Sequence, residues 1–89
     1  MSSPDPLEAR IRDVLREHGR LNTPIDQLDA HADLYQAGMT SHASVNVMLA
    51  LESTFDVEFA DHMLKRSVFA SVAAIREAVS ELTQASPMR

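Results

Sequence analysis

The sequence contains no cysteine and no tryptophan, and it has only two glycines among its 89 residues. Without cysteine the chain can form no disulfide framework and offers no thiolate for catalysis or metal binding. A zinc site would need histidine and carboxylate ligands alone. Few glycines and aromatic residues, together with many alanines, leucines and valines, favour an all-helical fold.

Long apolar runs and a surplus of basic charge are also missing. No run approaches the roughly 20 apolar residues of a membrane span, and the opening MSSPDP lacks the basic and apolar regions of a signal peptide. We therefore expect a cytoplasmic protein with no membrane partner. The chain has 8 basic and 13 acidic residues, net −5. Nucleic acid is disfavoured as a partner because phosphate contacts need clustered lysines and arginines. A basic or mixed protein surface is the more natural partner.

A chain of 89 residues builds one small domain, with a modest core and little room for a deep catalytic cleft. The first helix is predicted to begin at Pro6, with Asp5 as its N-cap and Glu8 completing a capping-box arrangement. Its apolar residues recur at helical spacing as far as His18, and Gly19 is the predicted C-cap. The apolar stripe is one-sided, so this helix needs packing partners.

The segment 20–37 shows no single period, and Pro24 interrupts it. We predict a long ordered loop with room for one helical turn. Loops beyond about 12–15 residues are uncommon in compact domains and are often functional. Four apolar residues are expected to pin the loop to the core: Leu21, Ile25, Leu28 and Leu34.

A second helix is predicted from Ser41 to Thr54. Leu51 broadens its predicted core face, which consists of Val45, Met48, Leu49, Glu52 and Phe55. Val57 and Phe59 then re-enter the core in a short link.

A short helix is predicted over 61–65, and the last helix is predicted to start after Ser71 as its N-cap. The inward face of that last helix is predicted to be Val72, Ile75, Ala78, Val79 and Leu82. The expected fold is a small all-α four-helix bundle with three main helices, one short helix and a long ordered loop between the first two. We expect the domain to span residues 6–83, with flexible tails at 1–5 and 84–89.

Ser41 and His42 are residue types that can serve as a nucleophile and a general base, but their spacing argues against catalysis. Adjacent residues on a helix do not face each other, and no acidic residue follows closely enough to orient the imidazole. The four histidines show no ligand spacing such as i, i+4, which disfavours a metal site. We therefore expect that the chain is not an enzyme and binds no metal.

The second helix begins with two adjacent hydroxyls, Thr40 and Ser41. One of them is expected to be the N-cap. The other lies where free backbone N–H groups and the helix dipole favour an anion, which is a physical reason for a phosphate ester there. From Gly38 to Leu51 the chain carries no formal charge, although 24% of all residues are charged. This uncharged strip is either a docking face or a solvent-exposed surface.

The stretch DLYQAGMTSHASVNVMLALESTFDVEF resembles the acyl carrier protein family. The family's signature is a glycine, two residues, the modified serine, and an amphipathic helix ending in Glu and an aromatic residue. Gly38 and Ser41 fall on that glycine and on the serine that accepts 4′-phosphopantetheine. FASVAAI is similar to the family's entry into its last helix, so the resemblance covers about residues 7–82. The matching positions of the second helix are Val45, Leu49, Leu51, Glu52 and Phe55.

The resemblance implies a four-helix carrier domain that holds an acyl group as a thioester on a 4′-phosphopantetheine arm at Ser41. It implies three partners: a phosphopantetheinyl transferase that attaches the arm from coenzyme A, a loading ligase, and a downstream acyl acceptor enzyme. We expect the carrier to be a monomer. The reactive thiol then belongs to the cofactor, in agreement with a chain that has no cysteine.

The sequence departs from fatty-acid carriers around the serine. Those carriers have Asp before it and Leu after it, where this chain has Thr40 and His42. Their acidic helix positions are occupied here by Ala43, Asn46 and Ser53, so a charge-based contact with fatty-acid enzymes is not expected. Docking is expected to use apolar and hydrogen-bonding contacts, through Met39, Thr40, His42, Val45 and Asn46.

The start GMTSH and the charge-poor helix are similar to a group of small stand-alone aminoacyl carriers. These receive an amino acid from a ligase that resembles a truncated aminoacyl-tRNA synthetase. We take this function as the leading hypothesis, with fatty-acid, polyketide, peptide-synthetase and lipid-pathway carriers as alternatives. An alternative of another class is an unmodified helical interaction module, in which Ser41 is only a cap.

Overall fold

The computed structural model describes residues 6–84, which form three α-helices and no β-strand. The α-helices are α1 (Pro6–His18), α2 (Ser41–Phe55) and α3 (Val72–Gln84). Short 3₁₀ turns lie between them at Ile25–Gln27, Asp61–Met63 and Arg66–Phe69. The all-α class with three main helices is confirmed, while the range 61–65 predicted as a short helix contains only the 3₁₀ turn Asp61–Met63. The predicted tails lie outside the described residues, apart from Gln84, which ends α3.

Helix α1 begins at Pro6, as predicted, whereas the predicted Asp5 cap lies outside the described residues. Gly19 directly follows the helix, and its N–H donates to the carbonyl of Leu15 at 2.8 Å. The left-handed backbone conformation that usually selects glycine falls on Arg20, with φ 55°. Gly19 serves close packing instead, because a Cβ there would lie 2.8 Å from the Leu15 carbonyl oxygen.

Helix α2 corrects the predicted core face. Its buried residues are Ala43, Val47 and Leu51, spaced four apart. Val45 and Leu49, which were expected in the core, are 50% and 53% exposed. Apolar residues lie on two sides of this helix, so helical spacing alone fits two different inward faces. Met48 and Phe55 lie at the margin of the core and are partly buried against it.

Helix α3 confirms its predicted start and face. The Ser71 hydroxyl accepts a hydrogen bond from the Ala74 N–H at 3.1 Å, so Ser71 caps the helix. Four of the five predicted inward residues are buried, and Leu82 is partly buried against them. The buried four are Val72, Ile75, Ala78 and Val79.

The predicted long loop is ordered and pinned to the core. Ile25 and Leu34 are buried, and Leu21 and Leu28 pack against the core with partial exposure. The loop is also bonded to the start of α3. The Ala73 N–H donates to the Ala30 carbonyl at 2.8 Å, and the Leu34 N–H donates to the Ala70 carbonyl at 2.7 Å.

Helix α1 holds the same loop through one arginine. Nη1 of Arg12 donates to the carbonyls of Ile25 and Leu28, at 2.7 and 2.9 Å. Nε of Arg12 also pairs with Glu8 at 3.0 Å. Backbone groups of the loop are therefore hydrogen-bonded both to the Arg12 side chain of α1 and to the backbone at the start of α3. These bonds satisfy polar groups that would otherwise cost stability.

The link after α2 returns to the core through Phe59 as predicted, whereas Val57, also predicted there, is only partly buried and lies outside the core cluster. Asp56 adopts a left-handed conformation, with φ 55°, and ends the helix. Oε2 of Glu52 accepts a hydrogen bond from the Phe59 N–H at 2.9 Å. Phe59 is buried and meets Phe69 edge-on, with ring centroids 5.4 Å apart. Glu52 therefore fixes the turn that delivers Phe59 to the core.

The core joins all three helices to the loop and the link. Its largest fully buried side chains are Ile11, Leu15, Leu34, Val47, Leu51, Val72, Ile75 and Val79. No charged side chain is buried within residues 6–84. None of the described helices is long and apolar enough to cross a membrane.

Candidate functional site

Ser41 is the first residue of α2, and its side chain is exposed. Thr40 is the N-cap, because its Oγ1 accepts a hydrogen bond from the Ala43 N–H at 3.0 Å. The two hydroxyls therefore have different tasks. Within residues 6–84 the Ser41 hydroxyl takes part in no hydrogen bond, since Ser44 Oγ donates to the backbone carbonyl of Ser41 instead, at 2.7 Å.

The backbone at this helix start favours an anion. The N–H groups of Ser41 and His42 have no acceptor in the described part of the chain. Unpaired amides and the positive end of the helix dipole stabilise a phosphate placed beside them. The residues present therefore fit a phosphodiester on the Ser41 hydroxyl.

Gly38 and Met39 set the position of Ser41. Gly38 has φ +115°, and a Cβ there would lie 2.9 Å from the backbone N of Asn22. Asn22 in turn donates to the Ala37 carbonyl at 2.6 Å. Met39 is only 2% exposed, and its N–H donates to the Leu34 carbonyl at 3.0 Å.

Met39 must therefore be removed from the predicted docking residues. It is a core residue that anchors the start of α2, and its apolar side chain cannot reach a partner from there. The signal was present in the sequence, since an apolar residue directly before the N-cap commonly packs inward.

The other predicted docking residues lie at the surface. Thr40, His42 and Val45 are exposed and Asn46 is partly exposed. Leu49 shares their side of α2, because His42, Val45, Asn46 and Leu49 follow the spacing i, i+3, i+4, i+7. We call these four residues the outer face of α2. Leu49 was missed as a docking candidate because its helical spacing also suited the core.

A groove adjoins Ser41 between α2 and the turn Arg66–Phe69. Its volume is about 410 Å³, and Ser41 is one of its lining residues. Its apolar walls are Val45, Met48, Leu64 and Phe69, and its polar lining includes Lys65 and Arg66. We call it the Ser41 groove.

A cation and a ring meet at the edge of the Ser41 groove. The guanidinium carbon of Arg66 lies 3.8 Å from the centroid of the Tyr35 ring, as in a cation–π contact. Sequence reasoning did not single out Lys65 and Arg66. The available signal was two adjacent basic residues in an acidic chain, one of which, Lys65, is its sole lysine.

The described residues offer no candidate metal site. They contain no group of three or more histidines and acidic residues able to hold a metal ion. The hydrogen bonds that Arg16 donates to Asp13 and Asp26 raise the pKa of its guanidinium, but this ion-pair cluster lies at the surface and links α1 to the loop. It has no part in the Ser41 site.

The sequence profile of the family described as "Phosphopantetheine attachment site" matches residues 9–79. The chain belongs to this family. It is 48% identical over 73 residues to the aminoacyl carrier protein of Agrobacterium fabrum, covering 82% of this chain and 88% of the relative. The predictions of a carrier protein with 4′-phosphopantetheine as its cofactor, and of a protein that is not an enzyme, are thereby confirmed.

Solved structures agree with this membership. The fold is similar to a carrier protein from Agrobacterium tumefaciens, solved with an engineered glycine:[carrier protein] ligase of Bradyrhizobium japonicum and AMP. The TM-score is 0.80 at 48% identity, covering 82% of this chain and 97% of that chain. A solution structure of a protein from A. tumefaciens has a TM-score of 0.70 at 45% identity, covering 86% and 93%.

Proposed function

We propose that Ser41 Oγ bears the 4′-phosphopantetheine arm and that this carrier transports an amino acid. The support for Ser41 is local: an exposed hydroxyl outside the capping bond, at a helix start with two unpaired amides. Ser41 also lies within the matched family region. When bound, the arm supplies a thiol that holds the cargo as a thioester.

The attachment requires a phosphopantetheinyl transferase as partner. Ser41 Oγ forms a bond to the phosphorus that carries the pantetheine, while the pyrophosphate bond of coenzyme A breaks. Adenosine 3′,5′-bisphosphate leaves, and the hydroxyl proton passes to a base on the transferase. This chain contributes the exposed hydroxyl and the amides that stabilise the resulting phosphodiester.

The aminoacyl cargo rests on one observation above all. A relative 48% identical over most of both chains is an aminoacyl carrier protein. A similar carrier has been solved with a glycine:[carrier protein] ligase. We therefore propose an amino acid:carrier protein ligase as the loading partner, with the outer face of α2 and Thr40 as the docking surface. A downstream enzyme then accepts the amino acid.

Intact mass spectrometry tests the attachment site. The wild-type chain, incubated with coenzyme A and a broad-specificity transferase, should gain the mass of one phosphopantetheinyl group. Ser41→Ala should gain nothing, while Thr40→Ala, which removes the neighbouring hydroxyl, should still be modified. A mass gain on Ser41→Ala would move the site elsewhere.

The cargo is tested on the modified protein. An amino acid:carrier protein ligase with ATP and glycine should add one aminoacyl mass that hydroxylamine removes. Malonyl and long-chain acyl loading by the matching fatty-acid or polyketide enzymes is the comparison. Efficient acyl loading without aminoacylation would favour the other carrier classes. Light scattering of the same sample checks the expected monomer.

A further inference from the structure

We infer that Lys65 and Arg66 bind the phosphodiester of the arm, so that the arm lies along the Ser41 groove. This inference rests on the proposed attachment at Ser41. It assigns a positioning role to two residues of the turn after α2. The observation that carries it is that the attachment residue and both cations line one groove.

The charges in this groove are complementary to the arm. The chain has net charge −5, yet the two cations beside Ser41 form no ion pair with any residue in 6–84. By contrast, Arg12 and Arg16 do form ion pairs, with carboxylates on α1 and the loop. Lys65 and Arg66 are thus available for a phosphodiester anion.

Arg66 is held in place for this contact. Its guanidinium lies 3.8 Å from the centroid of the Tyr35 ring. Stacking on a ring occupies the face of the guanidinium and leaves the N–H groups at its edge for a phosphate oxygen. Tyr35 itself is held by the loop, since its N–H donates to Asp33 Oδ1 at 2.9 Å.

The walls of the groove suit the remainder of the arm. Val45, Met48, Leu64 and Phe69 present apolar surface beside the cations. Pantetheine is a chain of amides and methylenes with a geminal dimethyl group close to its phosphate. A groove of about 410 Å³ falls within the about 300–1,000 Å³ range of small-molecule sites.

The absence of cysteine makes a direct test possible. In the modified protein the arm carries the one thiol, so a nitroxide reagent specific for thiols labels the arm alone. Relaxation enhancement of backbone amides then reports where the arm lies, and the ³¹P shift reports the phosphodiester. The label should broaden the amides of Leu64 to Phe69 selectively.

The decisive variant is Lys65→Gln with Arg66→Gln. Relaxation enhancement at the groove amides should fall about threefold, a size expected for exposed ion pairs, and the ³¹P shift should move towards that of free phosphopantetheine. Added salt should weaken the wild-type effect in the same direction. Lys65→Arg, which keeps both charges and leaves Arg66 stacked on Tyr35, should retain the wild-type effect.

Arg10→Gln is the matched control. Arg10 also lies over an aromatic ring, 5.9 Å from the centroid of Phe55, but about 20 Å along α2 from Ser41. It should leave the arm signals unchanged. Amide spectra of each variant establish that the fold is intact, and Lys65→Gln alone serves if the double variant unfolds.

Two results separate the possible failures. If the wild-type label broadens surface amides evenly, or if the double variant behaves as wild type, the groove does not hold the arm, although Ser41 is modified. If no mass is gained in the first place, or Ser41→Ala still gains it, the proposed attachment fails instead.

Discussion

Helices α2 and α3 are both rich in aliphatic side chains but distribute them differently. In α3, Val72, Ile75 and Val79 are fully buried on one side. In α2, Val47 and Leu51 are fully buried, while Val45 and Leu49 remain about half exposed on the other side. Folding thus uses the apolar surface of α3 and only part of that of α2.

The unused surface of α2 lies next to Ser41 and carries no formal charge. Exposed apolar side chains grouped on one helix face are typical of binding surfaces. The difference between the helices separates two roles: α3 stabilises the domain, and α2 both stabilises it and meets its partners. Substitutions on the two sides of α2 should therefore affect different measurements.

The largest expected effect comes from Leu51→Ala. It removes a fully buried side chain and should lower the free energy of unfolding by about 2–5 kcal/mol, as should Ile75→Ala in α3. Leu49→Ala, the same change two residues away on the outer face, should stay within about 0.5 kcal/mol. Urea denaturation monitored by circular dichroism measures all three. Equal losses for Leu51→Ala and Leu49→Ala would abolish the distinction between the two sides of α2.

A second effect concerns partner recognition. Val45→Ala with Leu49→Ala should lower the rate of aminoacylation by the ligase about tenfold, or about 1.4 kcal/mol. The folding free energy should barely change, because both side chains are half exposed. Glu77→Ala with Glu81→Ala on the exposed side of α3 is the control and should load normally. If aminoacylation slowed with the α3 control variant and not with the α2 pair, the ligase would dock on α3 instead of α2.

The caps provide a smaller comparison. Thr40 and Ser71 cap α2 and α3 in the same way, with hydroxyl to N–H distances of 3.0 and 3.1 Å. Thr40→Ala and Ser71→Ala should each cost about 0.5–2 kcal/mol in thermal or urea unfolding. Markedly unequal costs would show that one of the helix starts is held mainly by other contacts.

The smallest effect on stability is expected at the attachment residue. Ser41→Ala should change the free energy of unfolding of the unmodified protein by less than about 0.5 kcal/mol, because the Ser41 hydroxyl makes no hydrogen bond within residues 6–84. Calorimetry of the unmodified protein measures it. A drop as large as that of Thr40→Ala would assign a capping role to Ser41 as well.

The sequence predicted α3 and misassigned part of α2 for one reason. Apolar residues of α3 lie on one side, so their spacing has a single solution. In α2 the series Val45, Met48, Leu49 and the series Ala43, Val47, Leu51 both fit a helix, and only packing against α1 decides between them. The same ambiguity led to the prediction that Phe55 belongs to the core. In the structure Phe55 is only partly buried and lies under Arg10.

The site was predictable where it is local in sequence. The adjacent residues Thr40 and Ser41 predicted one cap and one further hydroxyl at the helix start, and the structure assigns the cap to Thr40. The Ser41 groove was not predictable, because Tyr35, Ser41 and Arg66 are brought together only by the fold. Periodicity contains no information on such a contact between a loop, a helix start and a 3₁₀ turn.

The bonds between the long loop and α3 have a consequence for motion. Ala30 accepts from an amide in the first turn of α3, and Leu34 donates to the carbonyl of Ala70, two residues before that helix begins. Both bonds tie the loop to the start of α3, so the loop and α3 should exchange their amide hydrogens as one cooperative unit. Met39, bonded to Leu34, extends this unit to the start of α2. The hydrogen-bonded amides of Leu34 and Met39, which hold the backbone before Ser41, should then be among the slowest-exchanging in the domain, regardless of how a cargo on the arm moves.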